Sequence, residues 1–348
     1  NDCANATPIG DGQYSGTLLG ATADGNTRCG GAAGGQLNTE PDVWYRYWAA
    51  ASGTLHVNTC GTHDIGATDT GMDTVLSAHA DCPGTADNEL MCNDDWISGT
   101  DTGACAGTDV GSARDSAFVL PVAWGQMVLI RVSKYAGGSP GPFLLNVRLD
   151  ADPPPNDDCA NATVIGDGWF FGTLAGATAD GSADCGGFFS ELPNAEPDAW
   201  YRYTAAQAGI LMASTCGSHD FGAIDAGMDT VLSAHSSCEG TTANQLAGAC
   251  NDDWPHSSDP RACNAPWPFY DAGAHRDSAL VVPVMAGQAV LLRVAKYARP
   301  LGGGFYYLTV GLQPELRIES LVVGPLGSVT LTWRSLGPGW GYTVETSS

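Results

Sequence analysis

The segment Phe143–Leu149, FLLNVRL, places Phe143, Leu145, Val147 and Leu149 at every second position. A period of two marks a strand with one buried face, because successive strand side chains point to opposite sides. Tyr306–Leu312, YYLTVGL, repeats the pattern with Tyr306, Leu308, Val310 and Leu312, and QMVLIRVSKY at Gln126–Tyr135 puts Val128, Ile130 and Val132 on one face. Helical periodicity is nearly absent, Gly and Pro punctuate the short apolar runs, and no strand–helix–strand alternation is visible. The sequence therefore predicts an all-β chain built from antiparallel β-sandwich or jelly-roll domains.

Outward from these strands, most of the chain is an internal repeat. NDCANATPIGDG at Asn1–Gly12 returns as NDDCANATVIGDG at Asn156–Gly168, and EPDVWYRY at Glu40–Tyr47 returns as EPDAWYRY at Glu196–Tyr203. The predicted domains are residues 1–150 and 151–314. Between them DADPPPNDD reads as a stiff, extended proline spacer, centred on residues 150–155. Residues 315–348 carry three strand-like pieces, Leu316/Ile318/Ser320, Val329/Leu331/Trp333 and Tyr342/Val344/Thr346. Three strands over so short a stretch are marginal alone and leave open edges, so the tail is expected to pack on domain two or on a neighbouring chain.

Lys and Arg number 14 against 38 Asp and Glu, a formal net charge of −24, which disfavours nucleic acid and anionic membranes as partners and favours cations. No long apolar run is present to span a bilayer. The start at Asn1, without Met or signal peptide, fits a processed secreted chain or a fragment of a longer one. Cys3, Cys29, Cys60, Cys82, Cys92 and Cys105 are matched by Cys159, Cys185, Cys216, Cys238, Cys250 and Cys263. Two even sets without a CxxC zinc pattern read as disulfides formed in an oxidising, extracellular setting. Six cysteines allow about fifteen pairings; Cys82 with Cys92, across one loop, is the favoured single pair.

CNDDW occurs at Cys92–Trp96 and again at Cys250–Trp254, each time shortly after MDTVLSAH. Asp73, Asn93, Asp94 and Asp95, with Asp229, Asn251, Asp252 and Asp253, gather hard oxygen ligands whose charges repel unless a cation sits among them, and Ca²⁺ takes six to eight such oxygens. The plainer reading is an Asx-turn bonding to local backbone. A second acidic group stands at each domain start: Asn1, Asp2, Glu40 and Asp42, then Asn156, Asp157, Asp158, Glu196 and Asp198. The two lysines, Lys134 and Lys296, occupy equivalent positions and read as partners for acidic loops or, more sharply, as isopeptide donors to Asp or Asn. Asn5-Ala6-Thr7 and Asn161-Ala162-Thr163 are N-glycosylation sequons. His63, His219 and Ser77-Ala78-His79 lack a nucleophile elbow or a metallohydrolase motif, which favours structural roles over catalysis. Trp96 and Trp254 read as cover for the acidic loops, and Trp267 as a residue for external contact.

The NDD start, EPD-x-WY-x-Y, and the closing AGQ…LLRV…Y…L-x-V resemble the bacterial pre-peptidase C-terminal domain, a secreted β-sandwich that includes collagen-binding modules of clostridial-type collagenases. The cysteines and the MDTVLSAH…CNDD segment resemble the tandem, cysteine-bearing relatives found in large surface proteins. The resemblance implies calcium at Asn1, Asp2 and Asp42 and at Asn156, Asp157 and Asp198, with Glu40 and Glu196 nearby. The tail is similar to the opening strands of fibronectin-like modules. The reading is of a non-catalytic extracellular protein, a subunit of a fibre, filament or adhesin that self-associates head to tail, its domains stabilised by calcium and disulfides. The alternative is a pair of carbohydrate- or collagen-binding accessory modules of a secreted hydrolase, with a polysaccharide or matrix protein as partner.

Overall fold

The computed structural model describes residues 2–32, 35–62, 71–108, 114–187, 192–218, 228–238, 240–254, 263, 276–297, 304–314, 318–323 and 329–333. It divides into two compact units, Asn1–Asp152 and Pro153–Ser348. In the first, the described residues form nine strands, β1 (Thr7–Ile9), β2 (Gly12–Thr17), β3 (Asp42–Trp48), β4 (Gly53–Asn58), β5 (Thr74–His79), β6 (Glu89–Asn93), β7 (Ala117–Val122), β8 (Met127–Lys134) and β9 (Pro142–Ala151). They form a five-stranded sheet, β1-β3-β8-β5-β6, and a four-stranded sheet, β2-β9-β4-β7. The second unit repeats both sheets with β10 (Thr163–Ile165), β11 (Gly168–Thr173), β12 (Asp198–Thr204), β13 (Gly209–Ser214), β14 (Thr230–His235), β15 (Gln245–Asn251), β16 (Ala279–Val284), β17 (Ala289–Lys296) and β18 (Phe305–Pro314), in the orders β10-β12-β17-β14-β15 and β11-β18-β13-β16.

The period-two strands meet as their pattern requires. Phe143, Leu145 and Val147 of β9 pack with Val128, Ile130 and Val132 of β8, and with Tyr45, Leu76 and Phe118, in one inter-sheet core. Tyr306, Leu308 and Val310 take the same places in the second unit. Among the described strands, one pairing in each unit departs from the antiparallel expectation. The short β1 lies parallel to β3, with Thr7 opposite Tyr45, and β10 lies parallel to β12.

Strands β5 and β8 are buried on both faces, which alternation alone does not anticipate. Behind the five-stranded sheet, Trp44 and Leu129 pack with Cys3 and Ala6 of the chain start in a second, smaller core. The connection between β2 and β3 closes over this face, Thr27 pairing with Asn38 across it. Gly25 and Gly84 lie so near the Trp44 indole that a Cβ on either would overlap it, which leaves only glycine for these positions.

Six disulfides staple the two units: Cys3–Cys82, Cys29–Cys92, Cys60–Cys105, Cys159–Cys238, Cys185–Cys250 and Cys216–Cys263. The expected Cys82–Cys92 bridge is therefore incorrect. Cys92 stands on β6 opposite Ser77, well along the hairpin from Cys82 at its tip, so each reaches a different covering segment. In the chain-entropy picture, closing loops of this length stabilises by roughly 4 kcal/mol per bridge.

The proline stretch is less extended than expected, because the Asp157 N–H donates to the Pro154 carbonyl at 3.0 Å and turns the chain. In the tail, β19 (Ile318–Val323) and β20 (Val329–Trp333) form an antiparallel pair that, among the described residues, bonds to no third strand. Leu316 and the piece around Tyr342, Val344 and Thr346 lie outside the described residues.

Candidate metal centres

Asp73 immediately precedes β5, while Asp94 and Asp95 follow β6, its hairpin partner. This pairing brings one carboxylate oxygen from each of the three within 4.8 Å of the others, and Asp229, Asp252 and Asp253 gather identically. At Ca–O distances of about 2.3–2.6 Å, two ligand oxygens on one ion stand up to roughly 5 Å apart. Each triad therefore has the span of a single calcium ion.

The loop is held by its backbone and by its asparagine. The Asn93 side chain accepts from Ala117 N (2.8 Å) and donates to Asp95 O (2.9 Å). Ser116 donates to Asp94 O at 2.8 Å, and Trp96 N to Asp115 O at 2.8 Å. Asn251, Ser278 and Trp254 repeat these contacts. The Asn side chains thus fasten the loop to the next strand, and only the aspartates converge.

One carboxylate oxygen of Asp94, and the same atom of Asp252, is buried and receives no hydrogen bond among the described residues. Burial, and then the charges of Asp95 and Asp73, pushes the Asp94 carboxyl up to about 7. Asp252 is raised to about 7 by burial, Asp253 and Asp229. Such a donor set, acidic, partly desolvated and converging within the span of one ion, fits a hard divalent cation. In the second unit Arg276 pairs with Asp229 at 4.0 Å. A cleft opens beside Asp73, lined by Met72, Arg114, Tyr135 and the Gly137–Pro142 turn. Trp254 packs against Cys263 and Ala279 behind its loop, and Trp96 is half-buried.

The acidic residues at the domain starts are distributed differently. Asp2 caps a 3-10 turn, accepting from Ala4 N at 2.9 Å. Asp157 accepts from Thr178 N and Oγ1, Asn156 donates to Trp200 O, and Asp158 stands at the N-cap of the turn Cys159–Asn161. Glu40 pairs with Lys134, and Glu196 with Lys296 at 3.3 Å, so among the described residues each lysine's ion pair is with glutamate and not with the Asp or Asn of an isopeptide. Asp42 and Asp198 are fully buried against Arg131 and Arg293, at 2.7 and 2.5 Å. A guanidinium thus already neutralises the carboxylate that the family resemblance gives to calcium. Asn1 lies outside the described residues; Asn5 and Asn161 are exposed.

Two participants escaped the sequence reading. Asp24 accepts from Cys3 N and from Trp44 Nε1, both at 2.7 Å, and the indole also reaches Asp42 at 3.0 Å. Asp180 and Trp200 do the same in the second unit. Burial, with Asp24 adjacent, raises Asp42 to about 6, and burial raises Asp198 to about 7 despite Arg293. The identical ATADG at Ala21–Gly25 and Ala177–Gly181 was the available signal.

Ser77 bonds His79 Nε2 at 2.8 Å, and His79 Nδ1 reaches Asn88 Oδ1 at 3.2 Å. Ser77 and His79 have no exposed surface, and Trp44 covers the imidazole. Burial lowers the His79 pKa. Ser233 and His235 form the equivalent pair under Trp200. His63, His219 and Trp267 lie outside the described residues.

No family model matches the chain, and no curated protein matches it. Among solved structures, the pre-peptidase C-terminal domain of a Bacillus anthracis collagenase is similar at 13% identity with a TM-score of 0.24, over 41% of this chain and 95% of that one. The CUB1-EGF-CUB2 domains of rat MASP-1 align at 5% identity with a TM-score of 0.19, over 88% of this chain and 99% of that one.

Proposed function

We propose that the chain is a non-catalytic extracellular structural protein, a fibre or adhesin subunit whose two sandwich units are stiffened by disulfides and by one calcium ion in each aspartate triad. The observation that carries this reading is the repetition, in both units, of three bridges and of a three-aspartate site in which one buried oxygen, of Asp94 or Asp252, accepts no hydrogen bond among the described residues. Six disulfides favour an oxidising compartment, and among the described residues no helix is long and apolar enough to cross a membrane.

Bound calcium would supply charge neutralisation. Asp73, Asp94 and Asp95 would hold it, tying the start of β5 to the loop after β6. Asn93 and Ser116 hold that loop in register with β7. Self-association is assigned to the tail, where Leu321, Val322 and Val323 of β19 are exposed by 61, 56 and 66%. Strand addition at such an edge joins chains through main-chain hydrogen bonds.

Sedimentation velocity and negative-stain electron microscopy at rising concentration in calcium test the proposal. Head-to-tail oligomers that vanish when residues 315–348 are deleted are expected. A chain that stays monomeric at high concentration in calcium overturns the assembly reading.

A further inference from the structure

Three carboxylates leave a calcium ion short of the six to eight oxygens it takes unless each binds through both of its own. The other oxygens of the Asn93–Asp95 loop are already engaged: Asn93 Oδ1 by Ala117 N, Asp94 O by Ser116, and Asp95 O by Asn93 Nδ2 and Ser98. Asp73 belongs both to the triad and to the lining of the cleft beside it, so the two share a wall.

The cleft is lined wholly by described residues and encloses about 650 Å³, the size of a small-ligand site. Tyr135 N donates to Asp73 O at 2.9 Å and Thr74 N to Arg114 O at 3.1 Å, so both sides are tied to the start of β5. A Cβ on Gly138 would stand 3.9 Å from that of Asp73, which sets the turn after β8 directly against the aspartate side chain. These walls are rich in donors. Arg114 is exposed and, among the described residues, forms no ion pair, although the chain holds 38 Asp and Glu against 14 Lys and Arg. Its counterpart in the second unit, Arg276, pairs with Asp229. The main-chain N–H groups of Gly137, Ser139 and Gly141 donate to no described residue, and Tyr135, Gly137 and Ser139 are exposed.

We propose that this cleft binds a uronic-acid saccharide whose carboxylate completes the shell of the calcium ion and pairs with Arg114, a step that rests on calcium being held by the first aspartate triad. A carboxylate is the group that a hard cation and a guanidinium both favour. The donors beyond it, at Ser139 and the glycine N–H groups, suit vicinal hydroxyls, and the Tyr135 ring beside them suits the C–H face of a pyranose. An aspartate or glutamate side chain of a polypeptide would fill the carboxylate position alone and leave those donors unused. Because the chain is itself anionic, with a net charge of −24, a sugar acid is held only where the ion offsets the local negative charge, and binding therefore depends on calcium.

The test is calorimetric titration of the whole chain with trigalacturonate and trimannuronate, in calcium and in chelator, beside the neutral galactotriose and mannotriose and an oligo-aspartate peptide. A calcium titration of the same samples counts the bound ions. Binding of at least one uronate in calcium is expected, lost in chelator and weakened tenfold or more by Arg114→Gln at unchanged melting temperature and undiminished calcium affinity. Calcium bound without either uronate, binding that persists in chelator, equal binding by the variant, or equal binding of the neutral trisaccharides would overturn the inference and leave the metal reading standing. Preference for oligo-aspartate would overturn it too, reassigning the cleft to an acidic polypeptide. A chain that binds no calcium overturns the metal reading, and this inference falls with it.

Discussion

Replacing Asp94 by Asn keeps the size of the side chain and any turn it caps but removes its charge. In the folded chain the Asp94 carboxyl is raised to about 7 from its ordinary 3.8 by burial, Asp95 and Asp73. An acid whose folded pKa lies above its unfolded value makes the folded state hold the extra proton. Without metal, its contribution is therefore intact below about pH 4 and is lost as pH rises toward 7. At about 1.4 kcal/mol per pH unit the unscreened cost at pH 8 would be about 4 kcal/mol, and solvent screening of this partly exposed carboxyl cuts it to roughly 2 kcal/mol. Asp94→Asn escapes this cost. At about 2–4 °C per kcal/mol for a unit of this size, the chelated variant should melt on the order of 5 °C higher than the parent at pH 8 and level with it at pH 4. Calcium acts in the opposite direction, adding about 2.7 kcal/mol to the parent at a hundred times Kd and about 4.1 at a thousand times. The gap should close as calcium rises, and the order should reverse before the lower figure is reached. Differential scanning calorimetry in chelator and in a calcium series reads both arms, with the second unit's own transition as the internal reference. Equal melting in chelator, or a gap that ignores calcium, would refute the reasoning.

Arg131→Met leaves Asp42 buried without its guanidinium and should cost about 3–5 kcal/mol by denaturant unfolding, while Arg131→Met with Asp42→Leu should recover most of it. Asn93→Ala removes the acceptor of Ala117 N and should cost about 1–3 kcal/mol, and it should weaken calcium binding although Asn93 is no ligand, as calorimetric titration would show. His79 and His235 are held neutral by burial, their pKa values lowered, so the stability they contribute is present above the unfolded value near 6.5 and falls as pH drops below it. His79→Gln should flatten the loss of melting temperature between pH 7 and 5. Peptide mapping without reduction should recover Cys3 linked to Cys82 and Cys29 to Cys92, with no Cys82–Cys92 peptide.

The all-β architecture was legible because Phe143, Leu145 and Val147 alternate, and alternation is what one buried face of a sheet requires. The second buried face of β8 was not. Leu129, Arg131 and Ser133 alternate with Val128, Ile130 and Val132 and lie on the opposite face, where a long connection covers them and Asp42 takes the guanidinium. Nothing local to VLIRVSK records a cover that arrives from some ninety residues away. The disulfide partners were hidden for the same reason, since hairpin geometry sets Cys82 and Cys92 apart. The aspartates of CNDDW stood out by composition and repetition, whereas the division of labour between Asn93 and Asp94 appears only once Ala117 is brought alongside.

A crystal grown in calcium, with anomalous difference data at long wavelength, addresses the metal centres directly. One peak should lie about 2.3–2.6 Å from oxygens of Asp73, Asp94 and Asp95, and a second among Asp229, Asp252 and Asp253. Maps without density at either triad at saturating calcium would contradict the central claim.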